Sequence, residues 1–98
     1  MNEAARARYG EVVEIYGWLS TFAATLHPDQ DGDLRDDLFY IDSTVAGWIS
    51  PGQFHKPHVL RLVLEAVAEV EKNRVPKVVT RSEELWRRLD RLRELATY

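Results

Sequence analysis

Five aspartates fall within nine residues: Asp29, Asp31, Asp33, Asp36 and Asp37. Alternate carboxylates such as those at 29, 31 and 33 are the hard oxygen ligands that calcium takes. A calcium-binding helix–loop–helix also needs Gly at its sixth loop position and a bidentate acid at its twelfth. Counted from Asp29, those places hold Leu34 and Tyr40. The spacing points instead to two other uses. One is to cap and polarise a helix start. The other is to form an acidic patch that steers a basic partner protein.

The remaining groups that could do chemistry are sparse. His55 and His58 are three apart, but Pro57 between them marks a helix start, and His27 is distant in sequence. Exposed loop histidines are the expected outcome, with no metal site and no cofactor. There is no Cys, which removes disulfides, thiolate zinc sites and cysteine nucleophiles. Neither a Gly-x-Ser-x-Gly elbow nor a phosphate-binding glycine loop is present. No carboxylate sits in a run apolar enough to raise its pKa in the manner of a general acid. The chain therefore reads as a binder, not an enzyme, with no catalytic residue.

Two sets of residues could make a binding surface. The first is cationic. Between residues 72 and 93, eight Lys and Arg side chains, among them Arg81, Arg87, Arg88 and Arg91, oppose Glu83, Glu84 and Asp90. Such a face can contact phosphates, which gives the alternative reading, a small DNA-associated regulator. Ala46-Gly47-Trp48-Ile49 through Pro57-His58-Val59-Leu60-Arg61-Leu62-Val63-Leu64-Glu65-Ala66 resembles the last turns of phage-repressor-type helix-turn-helix domains. There a recognition helix is followed by Pro and a Leu-rich helix, and the resemblance implies DNA binding. The upstream part departs from that pattern: the first helix is too long, and an acidic start to the reading helix would repel DNA.

The second set is aromatic. Trp18, Phe22, Phe39, Tyr40, Phe54 and Trp86 fall at flank, off-stripe or loop positions, and large aromatics dominate interface hot spots. The favoured expectation is a protein–protein interaction module, of inhibitor, immunity or adaptor type by fold-level analogy. Its partner-binding residues would be Trp18, Phe22, Phe39 and Tyr40 with the five aspartates. A self-associating face between the first two helices would account for Phe39, so a homo-oligomer is a further expectation.

Four helical stripes must position these groups. Ala5, Tyr9, Val12, Tyr16, Leu19, Ala23 and Leu26 alternate in steps of four and three, the seam of an amphipathic helix over about 3–26. Ile15, Trp18 and Phe22 widen it beyond what one side of a bundle needs. Gly10 and Gly17 inside it predict a close helix approach or a bend. His27-Pro28 ends it. Leu34, Leu38, Ile41, Val45 and Trp48 define a second helix over 33–49, with Asp31 or Asp33 as cap. Ser50-Pro51-Gly52-Gln53 has the form of a capping box opening a short turn that carries Phe54. Val59, Leu60, Val63, Leu64, Val67 and Val70 define a third helix over 57–73, with Leu62 off the stripe. Leu85, Leu89, Leu92 and Ala96 define a fourth over 81–96, after a capping box at Thr80-Arg81-Ser82-Glu83. Short links predict antiparallel neighbours, hence an all-α, up-down-up-down four-helix bundle forming one domain over 1–98.

Charge is divided along the chain. Residues 1–54 hold three basic and nine acidic side chains; residues 55–98 hold ten and seven. The halves are expected to attract each other within the bundle. No apolar run approaches the ~18 residues of a membrane span, and the N-terminal stretch lacks a signal-type apolar core, so the cytoplasm is the expected compartment.

Overall fold

The computed structural model describes residues 2–72 and 83–97. Among them are four helices and no strand: α1 Glu3–Thr25, α2 Gly32–Trp48, α3 Pro57–Lys72 and α4 Glu83–Ala96. Their described bounds agree with the expected ranges to within two residues at every end, the scale on which helix ends fray. Thr80, Arg81 and Ser82 of the expected capping box lie outside the described residues.

Local chemistry sets the helix ends. The Asn2 carboxamide oxygen accepts from the Ala5 N–H at 2.8 Å and caps α1. His27 then closes a turn, its carbonyl accepting from Gln30 and Asp31 N–H groups. Asp31 occupies the N-cap of α2, but its side chain makes no capping hydrogen bond. The expected Ser50 capping box does not form. The Ser50 hydroxyl instead donates back to the Ala46 carbonyl at 2.8 Å and finishes α2, and Gly52, at φ 78°, turns the chain. Pro57 opens α3 at the first helical position, where its missing N–H is harmless.

The helices form a ring. α1 packs on α2, α2 on α3, α3 on α4, and α4 closes on α1; the diagonal pairs make no close backbone approach. Opposed directions are visible in the contacts. Arg8 meets Leu95, Glu11 meets Arg91 and Glu14 meets Arg88 between α1 and α4. Tyr9 meets Ile49 and Ser20 meets Asp42 between α1 and α2. The structure is the up-down-up-down bundle, a rod of 42 × 21 × 19 Å. No described helix is long and apolar enough to cross a membrane.

Each stripe supplies the core as read, with Val12, Leu19, Leu38, Ile41, Val45, Val63, Val67, Leu85, Leu89 and Leu92 fully buried. Each such side chain contributes about 1.5–3 kcal/mol relative to exposure. Two of the six aromatics at flank, off-stripe or loop positions belong to this core: Phe54 is 6 % exposed and Trp86 2 %. Phe54 stacks on Trp48 with centroids 5.4 Å apart, and its carbonyl accepts from Trp48 Nε1–H at 3.0 Å. Tyr9 meets the same ring edge-on at 5.1 Å, and the Arg8 guanidinium lies over it at 4.9 Å. This cluster closes the end where α1 begins and α2 ends. Trp86, turned about 100° from Leu85, is covered at the opposite end beside the α1–α2 loop. Gly10 and Gly17 have no neighbour within 4 Å of where a Cβ would sit, so no helix approaches closely there.

Candidate protein interaction site

The acidic loop folds around a recess. Asp29, Asp31, Asp33, Asp36 and Asp37 line a concavity of about 870 Å³ with Pro28, Leu34 and Trp86 among its other walls. It lies at the end of the rod formed by the α1–α2 loop. Asp33 and Asp36 are exposed and carry no ion pair among the described residues. Asp29 sits 4.0 Å from His27 Nδ1, and its N–H points at that same nitrogen. Among the described residues, no group of three His, Cys, Asp or Glu side chains is arranged to hold a metal ion. His27 lies at the acidic end, while His55 and His58 lie at the far end by the α2–α3 link, so the three cannot converge.

The four aromatics expected beside these carboxylates do not share one face. Trp18 and Phe22 stack on each other at 5.0 Å, nearly parallel, and the Arg88 guanidinium of α4 lies 5.4 Å over Trp18. Ser20, which donates to Asp42 of α2, marks the other side of α1. Two residues turn a helix by about 200°, so the Trp18–Phe22 flank looks toward α4. There it is half-buried. The surplus apolar width of α1 is thus partly covered, with Arg88 of α4 over Trp18.

Phe39 and Tyr40 occupy the two shoulders of α2. Phe39, 38 % exposed, stands on the α1 side beneath Arg35, whose guanidinium lies 4.9 Å from the ring. Tyr40, 55 % exposed, leans over a groove between α2 and α3. That groove holds about 450 Å³ and is lined by Ser43, Thr44, Gly47, Ser50, Gln53, Val59 and Leu62. Sequence reasoning did not assemble it. Its one signal was Leu62, off the α3 stripe and 46 % exposed.

The cationic alternative has less free charge than its sequence suggests. Arg87 pairs with Glu84, and Arg88 with both Glu84 at 2.9 Å and Glu14 of α1 at 3.6 Å. Arg91 pairs with Glu11 of α1 and with Glu94, and Arg93 with Asp90. The Arg91 hydrogen bond, opposed by slight burial and helped by charge attraction, holds the Glu11 carboxyl below its ordinary 4.5. The hydrogen bonds that Arg91 donates to the Glu11 and Glu94 carboxylates raise its pKa above the ordinary value. The opposite charges of the two chain halves meet here, across the α1–α4 seam. Compared with family models, curated proteins and solved structures, the chain matches none.

Proposed function

We propose that this bundle is a protein–protein interaction module, a binder of inhibitor, immunity or adaptor type acting in the cytoplasm, whose acidic end receives a basic surface of another protein. The observation that carries the reading is the pair of exposed, unpaired carboxylates Asp33 and Asp36 on the rim of the 870 Å³ recess. Phe39 is exposed one helical turn further along α2. Such a patch raises the encounter rate with a cationic partner and sets its orientation, while an exposed aromatic nearby supplies apolar area. The arginines Arg87, Arg88 and Arg91 of α4 spend their charge on Glu11, Glu14, Glu84 and Glu94, so among the described residues nothing comparable favours a nucleic-acid face.

Affinity capture with the parent chain and with Asp33→Asn/Asp36→Asn, followed by binding measurements on whatever is retained, tests the proposal. The partner should carry a basic surface, its association should slow as salt rises, and the double variant should bind it at least tenfold more weakly. Equal binding by parent and variant would remove the acidic end from the interface.

A further inference from the structure

Two rows of exposed side chains flank the α2–α3 groove. Asp33, Asp36, Tyr40, Ser43 and Gly47 follow one another along α2 in alternating steps of three and four, so they keep to one arc of that helix. All five are exposed. His58, Leu62, Glu65 and Glu69 do the same along α3, in steps of four, three and four, and are likewise exposed. Tyr40, Ser43 and Gly47 from the first row and Leu62 from the second line the groove itself. The two helices run in opposite directions. Beyond Leu62 the α3 row therefore heads for the same end of the rod as Asp36 and Asp33.

The resulting face has two halves. Toward the acidic end it carries Asp33, Asp36, Glu65 and Glu69. Glu69 pairs with Lys72 at 3.3 Å, whereas Asp33, Asp36 and Glu65 form no ion pair among the described residues. The other half is apolar. Tyr40 and Leu62 are 55 % and 46 % exposed, two of the four large hydrophobic side chains so exposed among the described residues, and no charged residue lines the groove between them. Two hydroxyls on its walls are already committed: Thr44 Oγ1 donates to the Tyr40 carbonyl at 2.9 Å, and Ser50 Oγ to the Ala46 carbonyl at 2.8 Å. Gly47 has open space where a Cβ would sit, so a partner's backbone can come close there. Lys56, exposed in the α2–α3 link, gives the far end the opposite charge.

A trough between two helices, apolar in its floor and charged at one end, suits an amphipathic helix laid along it. Charge decides which way that helix lies. Cations grouped at one of its ends meet Asp33, Asp36 and Glu65; reversed, they meet Lys56. Asp33 and Gly47 are about 21 Å apart by helical rise, the length of about 15 residues of a partner helix. Tyr40 comes about 10 Å after Asp33, which sets the partner's cations about two turns from its apolar anchor.

We infer that the partner protein presents an amphipathic helix to the α2–α3 face, its cationic half over Asp33, Asp36 and Glu65 and its apolar half in the groove between Tyr40 and Leu62. This site rests on the acidic-end reading and extends it, because Asp33 and Asp36 belong to both.

Two synthetic helix-forming peptides of about 15 residues, followed by fluorescence anisotropy, test it. One groups leucines on one face of its first half and lysines on the same face of its second. The other has the same composition with leucines and lysines interspersed. The parent should bind the grouped peptide about tenfold more tightly than the interspersed one. Tyr40→Ser/Leu62→Ser, at exposed positions, should keep the helicity by circular dichroism, weaken the grouped peptide about tenfold and leave its salt dependence unchanged. Asp33→Asn/Asp36→Asn should weaken it and flatten that salt dependence. Loss in the carboxylate variant alone would overturn the inference and leave the acidic-end reading standing. Loss in the groove variant alone would overturn the acidic-end reading and with it the inference. No preference for the grouped peptide, or no binding of either, would overturn the inference. So would a parent dimer, by sedimentation, that Tyr40→Ser/Leu62→Ser dissolves, since the groove would then belong to a second copy.

Discussion

Glu11 on α1 and Arg91 on α4, 80 residues apart, are joined by a two-pronged hydrogen bond: Arg91 Nε donates to one carboxylate oxygen and Nη2 to the other at 3.0 Å. With the Glu14–Arg88 pair one turn along, it draws together the first and last helices. The Glu11 carboxyl is held below its ordinary 4.5, chiefly by the hydrogen bond from Arg91. A group with a depressed folded pKa stabilises the fold above its unfolded value, and that contribution fades as pH falls through the folded value. The parent should therefore lose melting temperature on acidification below about pH 4.5, and Glu11→Gln should flatten that part of the profile. At neutral pH the same variant should cost little and the cost should shrink with salt, because both side chains are more than a third exposed. A parent and variant with parallel profiles below pH 4.5 would show that the pair does not act in this way.

The Trp48–Phe54 cluster fixes the end where α1 begins. Trp48 is fully buried, and its N–H satisfies the Phe54 carbonyl. Trp48→Phe retains an aromatic ring and removes the donor, so urea unfolding should show a loss of about 1–3 kcal/mol from the carbonyl left without it. Trp48→Ala should cost about 3–5 kcal/mol through the cavity as well.

Gly10 and Gly17 of α1 are exposed, and nothing occupies the space a Cβ would take. Glycine in a helix interior costs roughly 0.8–1 kcal/mol relative to Ala. Gly10→Ala and Gly17→Ala should each stabilise the bundle by that order in denaturant unfolding, and the two should add because they lie two turns apart. Gly52→Ala should do the opposite, since its φ of 78° suits glycine and few other residues.

Trp86 and Phe39 should separate stability from binding. Trp86→Ala, at a position 2 % exposed, should destabilise by about 3–5 kcal/mol. Phe39→Ala loses a half-exposed ring and its contact with Arg35, at a cost below about 1 kcal/mol. Its consequence should appear in partner affinity. Thermal melts of both variants beside a binding measurement distinguish the two roles.

The fold was legible because each helix carries its stripe in its own sequence. Leu34, Leu38, Ile41, Val45 and Trp48 announce α2 without reference to any neighbour, and Asn2, Pro28 and Pro57 punctuate the helices by local chemistry. The surface was less legible because exposure is a property of pairs of elements. Trp86 sits at the edge of its own stripe, and its burial beside the α1–α2 loop cannot be read from α4 alone. Phe54 lies in a link, and its burial depends on Trp48, Tyr9 and Arg8 reaching it from two helices. The Trp18–Phe22 flank seemed surplus to α1 because nothing local reveals that Arg88, 70 residues on, lies over it. Asp33 and Asp36 were read as exposed carboxylates at a helix start and are found so, since their setting is set by the loop's own sequence.

Arg8 Nε donates to the Leu95 carbonyl at 3.1 Å, so the beginning of α1 and the end of α4 lie side by side. In a ring of helices, that makes the order in which the backbone visits them a matter of bookkeeping. A few Gly and Ser residues would bridge the two ends, and the chain could be opened instead at the exposed turn of residues 27–31. The rearranged polypeptide would retain all four seams, the Trp48–Phe54 cluster and the Glu11–Arg91 pair, because none of them depends on which helix is made first.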